Sequence, residues 1–136
     1  MSNLEKTLSI IKPDAVERNL EDEIKEIFKS KGFLIIKEKK IQIEKSEAEK
    51  FYKVHETKPF YDDLCTYLSS GPIVVIVLEK ENAVLDNREL MGATDPKKAD
   101  EGTIRKKYGI SIDKNSVHGS DSVQNAKIEI DFFFKD

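Results

Sequence analysis

The chain has 136 residues, 38% hydrophobic and 36% charged, with a net charge of −3. That length suits one domain with a core of its own, and residues 1–136 are read as one domain. The balance excludes a disordered chain and argues against nucleic-acid binding by bulk electrostatics, though not against a local cluster of cations facing a phosphate. A single cysteine, Cys65, rules out an internal disulfide and a cysteine metal cage. The longest purely apolar run, Ile73 to Leu78, is far too short to span a bilayer. "MSNLEKTLSII" carries charges where a signal peptide needs its apolar region, so a cytoplasmic protein with no membrane partner is expected.

In chain order, "KTLSIIK" is β-rich and closed by Pro13, which predicts the first strand. "NLEDEIKEIFKSKG" predicts a helix capped by Asn19 and stopped by Gly32, with Leu20, Ile24, Ile27 and Phe28 on one face. "FLIIKEKKIQI" reads as an edge strand whose lysines discourage uncontrolled pairing. Ser46 and Glu49 have the spacing of a capping box, and Ala48, Phe51, Tyr52 and His55 then share a helical face. Pro59 opens a second short helix, with Leu64, Tyr67 and Leu68 periodic, and "SSGP" breaks it.

"IVVIVLE", apolar on both faces, predicts a buried central strand. Asn82 caps a helix running to Gly92, and "GATDPKKADEGT" forms a long loop of the kind that often carries function. "IRKKYG" adds a helical turn, "SVH" is the only candidate for a fourth strand, and "DSVQNAKIEIDFFF" closes the chain as a helix with Val123, Ala126 and Ile130 inward. The order fits an α+β, ferredoxin-like split βαβ sandwich. It has a four-stranded antiparallel sheet, helices on one face, an extra helical hairpin and a long loop. That plan hosts RNA binders, metal chaperones and enzymes alike, so function must be argued from a site.

Several polar and aromatic residues stand where a core pattern gives them no place: Lys12, Tyr52, His55, Phe60, Arg88, Thr94, Arg105, Asn115, His118, Ser120 and Glu129. Singly, each has an ordinary explanation as a solvated charge, a core ring or a loop residue; "NSVHGSDS" itself makes an acceptable turn. Together they suit a polyphosphate. Lysine and arginine neutralise phosphate oxygens, arginine with a bidentate fork. An aromatic ring stacks on any base. A histidine serves as nucleophile, acid or base once a second group fixes its tautomer. No G-x-x-x-x-G-K-[ST] loop occurs, so side chains and metal must hold the phosphates.

Over nearly its whole length the chain resembles the nucleoside diphosphate kinases. The resemblance runs from "TLSIIKPDAV" through "FYKVHETKPFYDDL", "SGPIVVIVLE", "RELMGATDP" and "GTIR" to "NSVHGSDS" and "EIDFFF". It implies transfer of the γ-phosphate of a nucleoside triphosphate to a nucleoside diphosphate, in ping-pong fashion, through a phosphohistidine on His118 and with broad base specificity. By the same resemblance Glu129 hydrogen-bonds the far nitrogen of that imidazole and Ser120 supports it. Lys12 meets the ribose 3′-hydroxyl and the transferred phosphate, Asn115 meets the sugar, and Tyr52 lines the site. His55, Arg88 and Thr94 hold the inner phosphates and Arg105 reaches the transferring group. Phe60 stacks on the base, with Ile112 opposite.

The family uses Mg2+; with no all-protein cage visible, that ion is expected to arrive with the nucleotide. It also implies a homo-oligomer, tetramer or hexamer built from dimers. Asp22, where many members have glycine, Glu101, where proline is common, and the short C-terminal tail leave that choice open. Two other readings compete. One is a nucleotide-binding regulator of the same fold without transfer activity, which the intact Lys12–Arg105–Asn115–His118–Glu129 set opposes. The other is an RNA-binding module, which would want aromatic residues on the sheet and a basic face.

Overall fold

The computed structural model describes residues 4–111 and 114–134. The elements are β1 (Leu4–Ile11), α1 (Pro13–Glu17), α2 (Glu21–Ser30), β2 (Leu34–Ile41), α3 (Lys45–Phe51), α4 (Tyr61–Leu68), β3 (Ile73–Glu81), α5 (Ala83–Met91), α6 (Ile104–Tyr108), β4 (Val117–Gly119) and α7 (Val123–Phe133). Single 3₁₀ turns lie at Lys53–His55 and Pro96–Lys98. The four strands form one antiparallel sheet in the order β2-β3-β1-β4. β1 and β2 thus run parallel with β3 between them, and β3 and β4 run parallel with β1 between them, as in the split βαβ, ferredoxin-like plan.

β3 is buried along Ile73–Leu78 because it has a strand on each side and a core on each face. Val74, Ile76 and Leu78 join Ile11, Ile24, Phe28, Leu90 and Met91 in one cluster; Ile73 and Val75 join Leu8, Ile10, Ala48, Tyr52, Cys65, Leu68 and Phe133 in the other. The period-two alternation of a strand divides the residues this way. Helices therefore cover both faces, not the single face expected from sequence: α2 and α5 lie on one, α3, α4 and α7 on the other. Among the described residues no helix is long and apolar enough to cross a membrane.

Local chemistry explains the other differences. Lys12-Pro13 starts α1, a short helix that the first strand's reading had not anticipated; Pro13 fits a first helical position because its missing N–H would have had no partner there. Asn19 has φ +59 and turns the chain between α1 and α2, and Leu20 is the residue that caps α2. The capping box of α3 is Glu44 with Glu47, two residues before the Ser46–Glu49 pair. α3 ends at Phe51, so His55 sits on the following 3₁₀ turn and does not share an α-helical face with Ala48. Asn82 precedes α5 with φ 54 and its side chain makes no capping bond. Val123 is exposed, while Ala126 is buried. β2 lies at the sheet edge as expected, but its lysines have partners: Lys40 pairs with Glu21 at 3.3 Å, and Lys39 donates to the carbonyl of Phe133 and stands 4.9 Å over the Phe134 ring.

Candidate active site

β4 is only three residues long, yet it fixes His118. The strand pairs with β1 so that His118 stands beside Ile10, which turns its ring to the face bearing α3 and α7. There Nε2 lies 3.1 Å from Oε1 of Glu129, on α7. The same Oε1 accepts the Ser120 hydroxyl at 2.8 Å, and the Ser120 oxygen accepts the main-chain N–H of Leu8 at 3.2 Å. A carboxylate oxygen can only accept, so this contact places the imidazole proton on Nε2 and leaves the lone pair on Nδ1. Phe51 packs edge-on against the ring at 5.3 Å between centroids, and Tyr52 does so at 6.3 Å.

Tyr52 continues to His55 at 6.2 Å, and His55 to Phe60 at 6.0 Å, so four rings form a line from the half-buried His118 to the exposed Phe60. Tyr52 is buried; desolvation first, then the Glu129 carboxylate, hold its phenol well above the ordinary range, so it stays protonated as a donor. Phe60 is 46% exposed, with the Lys58 ammonium 5.7 Å from its centroid, and so presents a face on which a flat group can stack. Nδ1 of His55 is buried without a hydrogen-bond partner.

The cations arrive from three separate elements. Lys12, buried at the end of β1, donates from Nζ to Oδ1 of Asn115 at 2.9 Å, and Nδ2 of Asn115 donates to the carbonyl of Thr94 at 3.1 Å. Arg105, on α6, is also buried. It donates to the carbonyls of Gly92 at 3.0 Å and Val117 at 2.9 Å. Gly92 ends α5 with φ +85, a conformation that L side chains rarely adopt. Burial first, and then the neighbouring Arg88 charge, bring the Arg105 pKa down to about 10. The guanidinium remains charged at neutral pH, with its Nε unpartnered. Arg88, Gly92, Thr94 and Arg105 line a cleft of about 290 Å³. A larger groove, about 1110 Å³, opens elsewhere, over Pro13, Arg18, Tyr67, Gly71 and Ile110.

The structure thus brings Lys12, Tyr52, His55, Phe60, Arg88, Thr94, Arg105, Asn115, His118, Ser120 and Glu129 into one connected region; Ile112 lies outside the described residues. Sequence reading missed Phe51 as a neighbour of His118, because an aromatic on a helical face looks like core, which Phe51 also is. It also missed Asn87 and Met91, which underlie the strand of His118 at Gly119; no spacing rule points to them.

A histidine with its Nε2 held by a carboxylate, buried cations from several elements and an exposed ring, all on a ferredoxin-like sheet, are a side-chain set that suits a phosphotransferase. The family profile described as nucleoside diphosphate kinase matches residues 5–136. A nucleoside diphosphate kinase of Campylobacter jejuni is 59% identical over 132 residues, covering 97% of this chain and 96% of that protein. One of Granulibacter bethesdensis is 57% identical over 131 residues, with 96% and 94% covered. Among solved structures, the nucleoside diphosphate kinase of Aquifex aeolicus superposes with a TM-score of 0.94 at 40% identity, covering 96% of this chain and 95% of that one. That of Encephalitozoon cuniculi has the same TM-score at 36% identity, with 97% and 90% covered. The chain belongs to the nucleoside diphosphate kinase family.

Proposed function

We propose that the protein transfers the γ-phosphate of a nucleoside triphosphate to a nucleoside diphosphate through a phosphohistidine on His118. The observation that carries this reading is the 3.1 Å contact between His118 Nε2 and Glu129, which leaves Nδ1 as the nucleophilic nitrogen. In the first half-reaction Nδ1 attacks the γ-phosphorus, the N–P bond forms, and the bond to the β-bridging oxygen breaks to release the diphosphate. Glu129 stabilises the positive charge that the ring acquires. In the second, a terminal oxygen of the acceptor's β-phosphate attacks the phosphohistidine and the imidazole is restored. Lys12, Tyr52 and Arg105 neutralise or donate to the transferring group, His55, Arg88 and Thr94 hold the inner phosphates, and Asn115 meets the sugar.

Phe60 stacks on the base and reads no base edge, which supports broad base specificity, with Ile112 on the opposite side. The nucleotide would bring Mg2+ with it as part of the substrate, and the ion would offset phosphate charge. The donor set favours this arrangement: the site is built of lysine, arginines and histidines, and its carboxylate Glu129 already accepts from His118 and Ser120. Among the described residues no three His, Cys, Asp or Glu side chains are placed to hold a metal. The working form in our reading is a cytoplasmic homo-oligomer, tetramer or hexamer.

The test is to incubate the protein with ATP and magnesium and then remove nucleotide. One phosphoryl group per chain is expected, acid-labile and stable to base, and discharged by diphosphates of different bases at similar rates. His118→Ala should abolish the label and leave nucleotide binding largely intact. A base-labile, acid-stable label would move the chemistry to a carboxylate. Intact binding with no label in the native chain would favour the inactive-regulator reading.

A further inference from the structure

Outside the residues just assigned, the most densely bonded buried carboxylate is that of Asp14, on α1, which is 5% exposed. Tyr67, on α4, both accepts from the main-chain N–H of Asp14 at 2.8 Å and donates its hydroxyl proton to Oδ1 of the same residue. Arg18 Nη2 donates to Oδ2 at 3.2 Å and to the carbonyl of Tyr108 at 2.6 Å. The Ser116 hydroxyl donates to Oδ2 at 3.3 Å. Ser116 has φ +77, a left-handed backbone that a non-glycine residue keeps only when its surroundings over-determine it. Its carbonyl also accepts the main-chain N–H of Lys12 at 2.9 Å.

The two segments are therefore clipped together twice, main chain to main chain at 12 and 116 and side chain to side chain at 14 and 116. The ion–amide contact between Lys12 and Asn115 sits beside both clips. A lysine ammonium is a point charge on a flexible stem, so its position depends on what holds its backbone and its partner. A misplacement of about 1 Å near a reacting group costs on the order of a hundredfold in rate.

We propose that Asp14, with Tyr67 and Ser116, is a positioning device that sets Lys12 against Asn115, deepening the phosphotransfer reading above. Burial first, and then the bond to Asp14, hold the Tyr67 phenol well above its ordinary range, so the hydroxyl remains a donor at any pH the protein meets.

Asp14→Ala leaves buried donors unpartnered and is a poor test, so Tyr67→Phe and Ser116→Ala are used, each in the native chain and with Asn115→Ala. The first readout is the single-turnover rate of His118 phosphorylation by MgATP. Tyr67→Phe should slow it by about tenfold in the native chain and by less than about twofold once Asn115 is gone, because coupled sites do not add. The second readout is the side-chain amide NMR signal of Asn115 in nucleotide-free protein. It should shift in Tyr67→Phe and in Ser116→Ala while the amides of α7 stay in place. Equal losses in both backgrounds would show that the network only supports the fold. An unmoved Asn115 amide overturns the proposal by itself. If the native chain forms no phosphohistidine, the function reading fails, and the amide signal still decides the positioning.

Discussion

At His55 two effects act against the imidazolium: burial is the larger, and the Lys58 ammonium adds to it, with His118 contributing in the same sense. Asp121 and Glu129 pull the other way and do not prevail, so the pKa in the fold lies below the ordinary 6.5. The unfolded chain then binds the proton more readily than the native one between those two values. This contribution to stability is present above 6.5 and is lost as pH falls through the folded value. Denaturation curves taken from about pH 7.5 down to about pH 5 should show the native chain losing stability relative to His55→Gln. Parallel curves for the two would remove the claim. His55 and the other ten described candidates stood out in the sequence only as a set, from positions where a core pattern gives them no place and from the family resemblance, because singly each had an ordinary explanation. The pairing of Asp14 with Tyr67 was not legible, since an acidic residue after a strand-ending proline and a tyrosine on an apolar stripe both look ordinary. Only the fold brings them within bonding distance across 53 residues.

The element that fixes the candidate nucleophile is the shortest strand in the sheet, and what supports it from below is α5. A Cβ on Gly119 would lie 2.4 Å from Nδ2 of Asn87 and 2.7 Å from Cε of Met91, so the helix approaches β4 as closely as it does only because no side chain intervenes. Gly119→Ala should cost about 1–3 kcal/mol in urea unfolding, the usual penalty of overpacking, and should slow His118 phosphorylation by moving the strand. Stability unchanged within about 0.5 kcal/mol would mean that α5 yields freely. The same length explains why β4 was hard to read. Three residues carry no periodicity, and "SVH" stood out only because nothing else remained to complete the sheet. The long periodic runs, α2 and β3, were clear. The capping box of α3 was displaced by two residues, because Glu44 and Glu47 fill the roles that serine and glutamate more often take.

Across the whole molecule the sheet has two edges, and they are unequal. β4 is short and is overlain by Glu129 and Arg105 contacts, whereas β2 offers eight residues with Leu34 59% and Ile36 41% exposed. An edge strand of that length with apolar side chains favours pairing with another copy, and the lysines that might have screened it are engaged within the chain. At low micromolar concentration, sedimentation should show multiples of 15.6 kDa, and Leu34→Glu with Ile36→Glu should shift the distribution toward the single chain. A native protein sedimenting only as the 15.6 kDa species would remove the expectation.

The β1–β4 pairing has a consequence for how the protein comes into being. Leu8 meets Ser120 across 112 positions and Lys12 meets Asn115 across 103, so the earliest part of the chain and a late part share one site. A ribosome adding on the order of ten residues per second delivers Lys12 many seconds before His118, and the helix bearing Glu129 comes later still. Throughout that interval the nascent chain has Lys12 without the strand and helix that carry His118 and Glu129. On the function proposed above, phosphotransfer therefore begins only after the sheet has closed on its first strand.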